Sequence, residues 1–177
     1  MIFTETKLKG AYILEVEKHE DERGFLGRSW CTNEMKKHGL NANVLQANIS
    51  FNKEKGTLRG MHYQIAPYQE AKLVRCSGGS IFDVIIDLRK DSPTFKQWIG
   101  VELSQANYKM LYVPEDFAHG FITLENNSEI SYLMTEIFVP DAGATIRWND
   151  PLFNIIWPFE PTTLSEKDKS HPDYINT

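Results

Sequence analysis

Residues 57–64 read Thr-Leu-Arg-Gly-Met-His-Tyr-Gln, and the interpretation of the whole chain depends on this stretch. Its threonine, leucine, methionine and tyrosine suit a pleated surface, so the stretch predicts a β-strand. Gly60, in the middle of that strand, indicates close approach by another backbone or by a ligand. His62 places a titratable imidazole on one face. Taken alone, His62 is better explained as a core histidine hydrogen-bonded to a neighbour than as part of a site.

The chain of 177 residues is long enough to bury a substantial core, and we expect one domain over residues 1–177. A hydrophobic content of 41% and a charged content of 24% are typical of a soluble globular protein. The net charge of −5 argues against broad nucleic-acid binding. It still permits a local basic pocket for a phosphorylated small molecule.

The two cysteines, Cys31 and Cys76, are too few for a disulfide framework or a zinc site. The first residues lack the basic and apolar regions of a signal peptide, and no apolar run approaches the length of a membrane span. A cytoplasmic location without a membrane partner is therefore the prediction.

Short apolar runs bounded by turn residues recur along the chain and predict many strands. They lie at 11–16, 25–30, 43–51, 57–64, 71–76, 80–88, 98–103, 110–113, 120–124, 130–138 and 145–148. Such a series indicates an all-β antiparallel sandwich or barrel and shows no βαβ rhythm. One helix is expected at about 33–38, capped by Thr32 or Asn33 and ended by Gly39. The polar segment 149–177 should wrap over the barrel.

Histidines at strand positions of a barrel suggest a metal site of the cupin type. That site needs several imidazole and carboxylate ligands that converge on one ion. Tyr63 and Gln64 follow His62 where a second ligand would stand, and His119 has no histidine near it in sequence. The prediction is therefore no metal site, with the barrel mouth as a pocket for an organic ligand.

Several charged residues occupy apolar strands, where burial is costly unless they are paired. Asp83 is expected to meet a cation or an imidazole, and Asp87 to pair with Arg89. Lys72 lies on an apolar face, which is unusual unless it reaches a charge inside the pocket. His119 lies where a strand restarts, and a turn-stabilising role explains it as well as a functional one.

Two further residues have simple explanations when they are considered singly. Tyr132 fits an ordinary core or rim aromatic residue, and Asp168 fits a solvated charge. Nothing in the periodicity of the sequence brings Asp168 near His62.

Together, these residues closely resemble the dTDP-4-dehydrorhamnose 3,5-epimerase family of nucleotide-sugar epimerases, nearly from end to end. The resemblance is carried by the motifs at 21–25 (DERGF), 46–50 (QANIS), 56–64 (GTLRGMHYQ), 72–76 (KLVRC), 83–84 (DV), 87–89 (DLR), 92–95 (SPTF), 117–121 (FAHGF), 146–151 (IRWNDP) and 165–168 (SEKD). The resemblance implies a cupin-like jelly-roll barrel with a few short peripheral helices. It also implies a homodimer with strand exchange that works without metal or cofactor.

The implied substrate is a nucleotide-linked 4-keto sugar, used in deoxysugar or heptose biosynthesis for surface polysaccharide. The ketone acidifies the C–H bonds at C3 and C5, so a base can form an enolate and an acid can return a proton to the opposite face. By resemblance, His62 is the base, Asp168 orients its ring, and Tyr132 is the acid. Lys72 would stabilise charge on O4.

The resemblance also implies a set of substrate-binding residues. Arg59 and Arg23 correspond to the residues that hold the diphosphate, for which a guanidinium fork is well shaped. Gln46, Asn48 and His119 would line the pocket, and Asp83 would hold His119.

Two positions depart from the family pattern. Arg28 stands where the family has a glutamate that accepts a hydrogen bond from thymine, and an arginine accepts none. The hypothesis that follows is a GDP- or CDP-linked sugar in place of a dTDP-linked one. Phe138 replaces a tyrosine that lines the sugar site, which could alter the sugar or limit epimerisation to one carbon.

Two other functional classes stay open. One is a single-carbon epimerase or ketoisomerase on the same scaffold. The other is a non-catalytic sugar-nucleotide binding module, against which the presence of both His62 and Tyr132 argues.

Arg59 and His62 also pose a geometric question, because residues three positions apart on a regular strand point to opposite faces. Either a bulge near Gly60 brings both to one site, or Arg59 reaches a neighbouring site, for example across a strand-exchanged dimer.

Overall fold

The computed structural model describes residues 1–174, which form strands with short helices at the periphery. Residues 175–177, part of the predicted domain, lie outside the described residues. The strands are β1 (Ile2–Glu5), β2 (Tyr12–Glu15), β3 (His19–Asp21), β4 (Gly24–Leu26), β5 (Gln46–Asn52), β6 (Leu58–Gln64), β7 (Lys72–Gly78), β8 (Ser80–Asp87), β9 (Trp98–Ser104), β10 (Met110–Val113), β11 (Phe117–Thr123), β12 (Ser128–Met134) and β13 (Gly143–Thr145). The helices are α1 (Thr32–Lys37), α2 (Glu166–Ser170) and a 3₁₀ turn at Pro140–Ala142. None of the helices described is long and apolar enough to cross a membrane.

Two antiparallel sheets build the barrel. One has six strands in the order β1-β2-β10-β7-β12-β5, and the other has five in the order β13-β6-β11-β8-β9. The hairpin of β3 and β4 forms a separate two-stranded ribbon. This arrangement confirms the predicted all-β, cupin-like jelly roll with short peripheral helices.

The core lies between the two sheets. Val74 and Cys76 of β7 pack in one buried cluster with Ile81 and Ile85 of β8 and with Phe117 of β11. Each buried aliphatic or aromatic side chain of this size contributes about 1.5–3 kcal/mol of transfer free energy. The sheets also enclose a cavity, which polar and apolar side chains line together.

The structure departs from the expected elements in several places. The strands at 2–5 and 19–21 were not predicted, because each is too short to show an alternating pattern. The strand expected at 25–30 ends at Leu26, and the strand expected at 145–148 lies at Gly143–Thr145 instead. The N-cap of α1 is Cys31 without a side-chain cap, so the expected cap at Thr32 or Asn33 is wrong.

The strand expected at 130–138 ends at Met134, because side chains satisfy the backbone beyond it. The Phe138 N–H donates to Oε1 of Gln46 (3.0 Å), and the Val139 N–H donates to Oε1 of Gln64 (2.6 Å). These bonds take residues 137–139 out of the sheet and leave Phe138 exposed at the cavity mouth.

A bulge at Gly60 answers the geometric question about Arg59 and His62. On β11, His119 lies opposite His62 and Phe121 lies opposite Arg59, so three steps on β6 match two on β11. The extra residue turns both side chains towards the same cavity. The bulge is therefore confirmed, and Arg59 reaches the cavity of its own chain.

Close approach of two backbones accounts for glycine at this bulge. Gly60 has a φ of +132°, and a Cβ atom added to it would lie 2.5 Å from the Cα atom of Gly120. The expected contact of Gly60 with another backbone is confirmed.

Asp87, at the end of β8, is fully buried and binds the segment that connects β8 to β9. Its carboxylate accepts hydrogen bonds from Arg89 (Nη2 to Oδ2, 2.8 Å), Ser92 and Thr94 (Oγ1 to Oδ2, 2.7 Å). The predicted pairing with Arg89 is confirmed. Burial by itself raises the pKa of Asp87, but the bonds from Arg89, Ser92 and Thr94 outweigh burial and lower the pKa below its ordinary value.

We predict that Gly60→Ala destabilises the fold more than Gly24→Ala does. Gly24 also has a positive φ (+127°), but an added Cβ would meet nothing within 4 Å, so it isolates the cost of backbone conformation. We expect Gly24→Ala to cost about 1–2 kcal/mol and Gly60→Ala more than about 3 kcal/mol. Melting temperatures should fall by about 2–4 °C per kcal/mol. Equal losses would show that the Gly60–Gly120 contact relaxes freely.

We predict that Asp87→Asn lowers the free energy of unfolding by about 2–3 kcal/mol at pH 7, because the bonds from Arg89 and the hydroxyls lose their charged acceptor. A carboxylate with a lowered folded pKa stabilises the protein above its unfolded pKa of about 3.9, and this stabilisation is lost as pH falls through the folded value. Urea denaturation should therefore show the difference from the parent shrinking below about pH 4. The exposed Asp91→Asn is the control, expected to stay within about 0.5 kcal/mol. A difference that grows in acid would contradict the assignment.

Candidate active site

The cavity between the sheets has a volume of about 910 Å³. It is lined by residues of β5, β6, β7, β11 and β12 together with residues 163–168. Nine of the eleven predicted site residues line it: Gln46, Asn48, Arg59, His62, Lys72, His119, Tyr132, Phe138 and Asp168. The fold therefore gathers residues that lie up to 122 positions apart (46 to 168) around one space.

His62 and Asp168 form a hydrogen-bonded pair at the cavity wall. The ring atom Nε2 lies 2.7 Å from Oδ1 of Asp168, although 106 positions separate the two residues. Asp168 is buried in α2, whose N-cap Ser165 accepts a bond from the Asp168 N–H (3.1 Å). The expected neighbourhood of the two side chains is confirmed, and the helix cap fixes the carboxylate in place.

The ionisation of Asp168 determines which nitrogen of His62 carries the proton. Burial by itself raises the pKa of Asp168, but the bond from His62, the His62 charge and the bond to Ser165 lower it below its ordinary value. An ionised carboxylate only accepts, so the neutral imidazole donates from Nε2 and keeps its lone pair on Nδ1. Within residues 1–174, Nδ1 has no hydrogen-bond partner, so it is the basic nitrogen.

A second histidine–aspartate pair lies beside the first. His119 is directly opposite His62 in the ladder between β11 and β6. Its Nε2 atom lies 2.7 Å from Oδ1 of Asp83, which is fully buried. The prediction that Asp83 meets a cation or an imidazole is confirmed, and Asp83 holds the ring of His119.

Lys72 is buried in the wall and pairs with Glu70. Its Nζ atom donates a short hydrogen bond to Oε1 of Glu70. Sequence reasoning asked for a charge near Lys72 but did not name Glu70. Glu70 lies two positions before Lys72, outside β7, so strand alternation could not have shown the contact.

Arg59 and Tyr132 also line the cavity. Nε of Arg59 donates to Oδ1 of buried Asn52 (2.7 Å), a contact that sequence reasoning also missed. Burial raises the pKa of the Tyr132 phenol, the Arg59 charge lowers it and the Glu70 charge raises it again. The net pKa lies above its ordinary value, so the phenol keeps its proton at neutral pH and can donate it.

Gln46, Asn48 and Phe138 lie along one side of the cavity. Nε2 of Gln46 donates to Oδ1 of Asn48 (3.0 Å), while Oε1 of Gln46 accepts from the Phe138 N–H. The two amides and the aromatic ring therefore form one connected rim.

Arg23 and Arg28 do not reach the cavity of their own chain. Arg23, beside the hairpin of β3 and β4, pairs with Asp21 and has 85% of its side chain exposed. Arg28 pairs with Glu34 of α1, with 61% exposed. Their predicted binding roles require a cavity other than their own.

The described residues contain no cluster of three or more histidine, cysteine, aspartate or glutamate side chains that could hold a metal ion. The cavity therefore brings together an imidazole paired with a carboxylate, a protonated phenol and the cationic side chains of Lys72 and Arg59.

Comparison with known proteins identifies the family. The sequence profile of the dTDP-4-dehydrorhamnose 3,5-epimerase family matches residues 5–175. The chain belongs to this family. The resemblance seen in the sequence motifs and the predicted class, an isomerase, are both confirmed.

Individual relatives agree over nearly their whole length. The dTDP-4-dehydrorhamnose 3,5-epimerase of Salmonella typhimurium is 42% identical over 97% of this chain and 94% of its own. The enzyme of that name from Bacillus anthracis, solved with TDP and PPi bound, has a TM-score of 0.93 and 40% identity over 98% of this chain and 99% of its own. The dTDP-6-deoxy-D-glucose-3,5-epimerase of Legionella pneumophila, solved with dTDP-4-keto-L-rhamnose, has a TM-score of 0.87 and 37% identity over 94% and 89% of the two chains.

We predict that Asp168→Asn changes the tautomer of His62. In the parent protein the neutral ring should carry its proton on Nε2, whereas the amide of asparagine can donate to Nε2 and so favour a proton on Nδ1. Long-range ¹H–¹⁵N NMR of labelled histidine reports the tautomer directly. Glu166→Gln, an exposed change on the same helix, should leave the spectrum of His62 unaltered. An unchanged tautomer in Asp168→Asn would contradict the assignment of Nδ1 as the base.

Proposed function

We propose that this protein epimerises C3 and C5 of a dTDP-linked 4-keto-6-deoxy sugar through an enolate. The observation that carries the proposal is one cavity in which His62 is backed by ionised Asp168, together with protonated Tyr132 and buried Lys72. A base, an acid and a fixed cation are what proton removal next to a ketone requires. The related proteins solved with TDP or with dTDP-4-keto-L-rhamnose favour this substrate class.

His62 begins the reaction in this mechanism. Its Nδ1 lone pair removes the proton from a carbon next to the ketone, and the electrons of that C–H bond move towards O4. The imidazolium that forms is stabilised by the Asp168 carboxylate at 2.7 Å. A neutral imidazole has an ordinary pKa of about 6.5, which suits a base working near neutral pH.

Lys72 and Tyr132 act on the enolate. The ammonium of Lys72 stabilises the negative charge on O4, which is worth more in a water-poor cavity than in bulk solvent. Tyr132 gives its proton to the carbon from the face opposite His62, which inverts the centre. The raised pKa of Tyr132 supports this role, because the phenol must be protonated before it can act as the acid.

The diphosphate is held by arginines in this proposal. Arg59 lines the cavity and is fixed by Asn52, so it can meet the diphosphate of a sugar bound in its own chain. Arg23 and Arg28 would serve the cavity of a second copy in a strand-exchanged homodimer. Two features support a dimer: β5 is an edge strand, and its Ile49 and Phe51 are exposed beside the cavity mouth.

GDP or CDP is a second candidate for the nucleotide of the substrate. Arg28 has donors only, which favours acceptor edges such as those of GDP or CDP over thymine. However, the Arg28–Glu34 contact places a carboxylate acceptor beside those donors. The pair could therefore still serve thymine, which agrees with the TDP-bound relative.

Phe138 supports a second reaction, epimerisation at one carbon only. It lies at the rim without the hydroxyl that a tyrosine would bring. A ketoisomerase on the same scaffold would use the same acid and base, and deuterium incorporation separates it from an epimerase. A non-catalytic binding module is a weaker candidate, because it does not explain an acid and a paired base around one cavity. We place the reaction in deoxysugar or heptose biosynthesis for surface polysaccharide. One domain over the whole chain and a cytoplasmic location stay predictions.

The proposal predicts deuterium incorporation at C3 and C5 when the protein turns over a dTDP-4-keto-6-deoxy sugar in D₂O. NMR of the product separates double epimerisation from exchange at one carbon, and parallel reactions with GDP- and CDP-linked sugars test the nucleotide. His62→Ala should lower turnover by at least about 10³-fold, since it removes the base. The exposed His38→Ala is the matched control and should keep full activity.

Tyr132→Phe should separate exchange from inversion. His62 can still remove a proton in this variant, but the opposite face lacks its acid, so inversion should fall more than deuterium exchange. If His62→Ala turns over substrate at a rate close to that of the parent, the assignment of His62 as the base is wrong. Tightest binding to GDP or CDP in calorimetry would favour the second nucleotide candidate.

A further inference from the structure

Glu70 is a buried carboxylate that the mechanism above does not use. It lies in the cavity wall with 5% of its surface exposed, and Lys72 has 7% exposed. Their short hydrogen bond joins Nζ to Oε1. Oε2 of Glu70 is buried and has no hydrogen-bond partner among the residues described.

Burial makes the two side chains depend on each other. An isolated ammonium in a protein interior tends to lose its proton, because desolvation disfavours the charged form. Within the part of the chain that the structure describes, Glu70 is the only hydrogen-bonding partner of the Lys72 ammonium. The carboxylate of Glu70 therefore compensates the burial of that ammonium.

The ion pair still leaves donors for a ligand. An ammonium has three N–H donors, and Glu70 occupies one of them. The others remain for the oxygen of a bound ketone, so Glu70 can hold Lys72 without blocking it.

We propose that Glu70 is a positioning residue that keeps Lys72 protonated and aimed at the ketone oxygen. This inference rests on the proposed function, because it gives the cation of that reaction its support.

The unpartnered Oε2 strengthens the inference. A buried carboxylate oxygen without a donor is costly. A carboxylate here does not serve the packing of the barrel, because an apolar side chain would avoid that cost. A role in holding the charge of its neighbour accounts for a carboxylate at this position.

The first test needs no substrate. The parent and Glu70→Gln are treated with a small excess of acetic anhydride at pH 7.5. Mass spectrometry then measures the rate at which Lys72 is acetylated in each protein. Only an unprotonated amine reacts, so loss of the carboxylate should speed acetylation of Lys72 by at least about tenfold. Glu102→Gln, an exposed change on β9, should leave the rate unchanged. A Lys72 rate within twofold of the parent in Glu70→Gln overturns the proposal.

The second test is a double-mutant cycle in turnover. Glu70→Gln should lower kcat by about tenfold or more while KM changes little, since the charge on Lys72 matters most when the enolate forms. In a Lys72→Met background the same change should have a much smaller effect, because its main target is gone. Equal effects in both backgrounds would show a merely structural role and overturn the proposal.

The two tests separate this proposal from the function on which it rests. If the parent and Glu102→Gln fail to turn over any 4-keto sugar, the proposed function fails, and acetylation of Lys72 still decides on the ion pair. Thermal unfolding of Glu70→Gln accompanies both tests. If that variant does not fold, Glu70→Asp replaces it, and its shorter carboxylate should raise the Lys72 rate less than about tenfold but more than twofold.

Discussion

The contact of Gly60 with Gly120 is the constraint on which the site depends. Two strands can approach this closely only because neither residue carries a Cβ atom, and the bulge that results gives β6 one residue more than β11. Without that extra residue, Arg59 and His62 would leave opposite faces of the sheet. A small change in backbone register thus determines that the guanidinium of Arg59 and the imidazole of His62 share one cavity.

The cavity follows a single electrostatic rule, because each buried charge in its wall has a fixed partner. Asp168 holds His62, Asp83 holds His119 and Glu70 holds Lys72. Such pairs add little to stability, since desolvation offsets much of their attraction. Their value lies in orientation, because the groups are already in place when a substrate arrives and little reorganisation is needed.

Much of the fold followed from local patterns, while the site did not. Alternation and turn residues gave most strands, and Asp83 demanded a partner because a carboxylate in an apolar strand is costly. Asp168 lies on a short polar helix, where nothing local distinguishes it from a solvated charge; only the motif resemblance joined it to His62. The short strands β1 and β3 were missed because each is too short to show alternation, and only pairing with β2 and β4 reveals them.

The separation of His62 and Asp168 along the chain has a consequence for synthesis. A ribosome adds about 5–20 residues per second, so the 106 positions between them take about 5–20 s to make. During that interval the emerging polypeptide contains the imidazole but not its carboxylate. The hydrogen-bonded pair of His62 and Asp168 therefore cannot form until α2 has been translated.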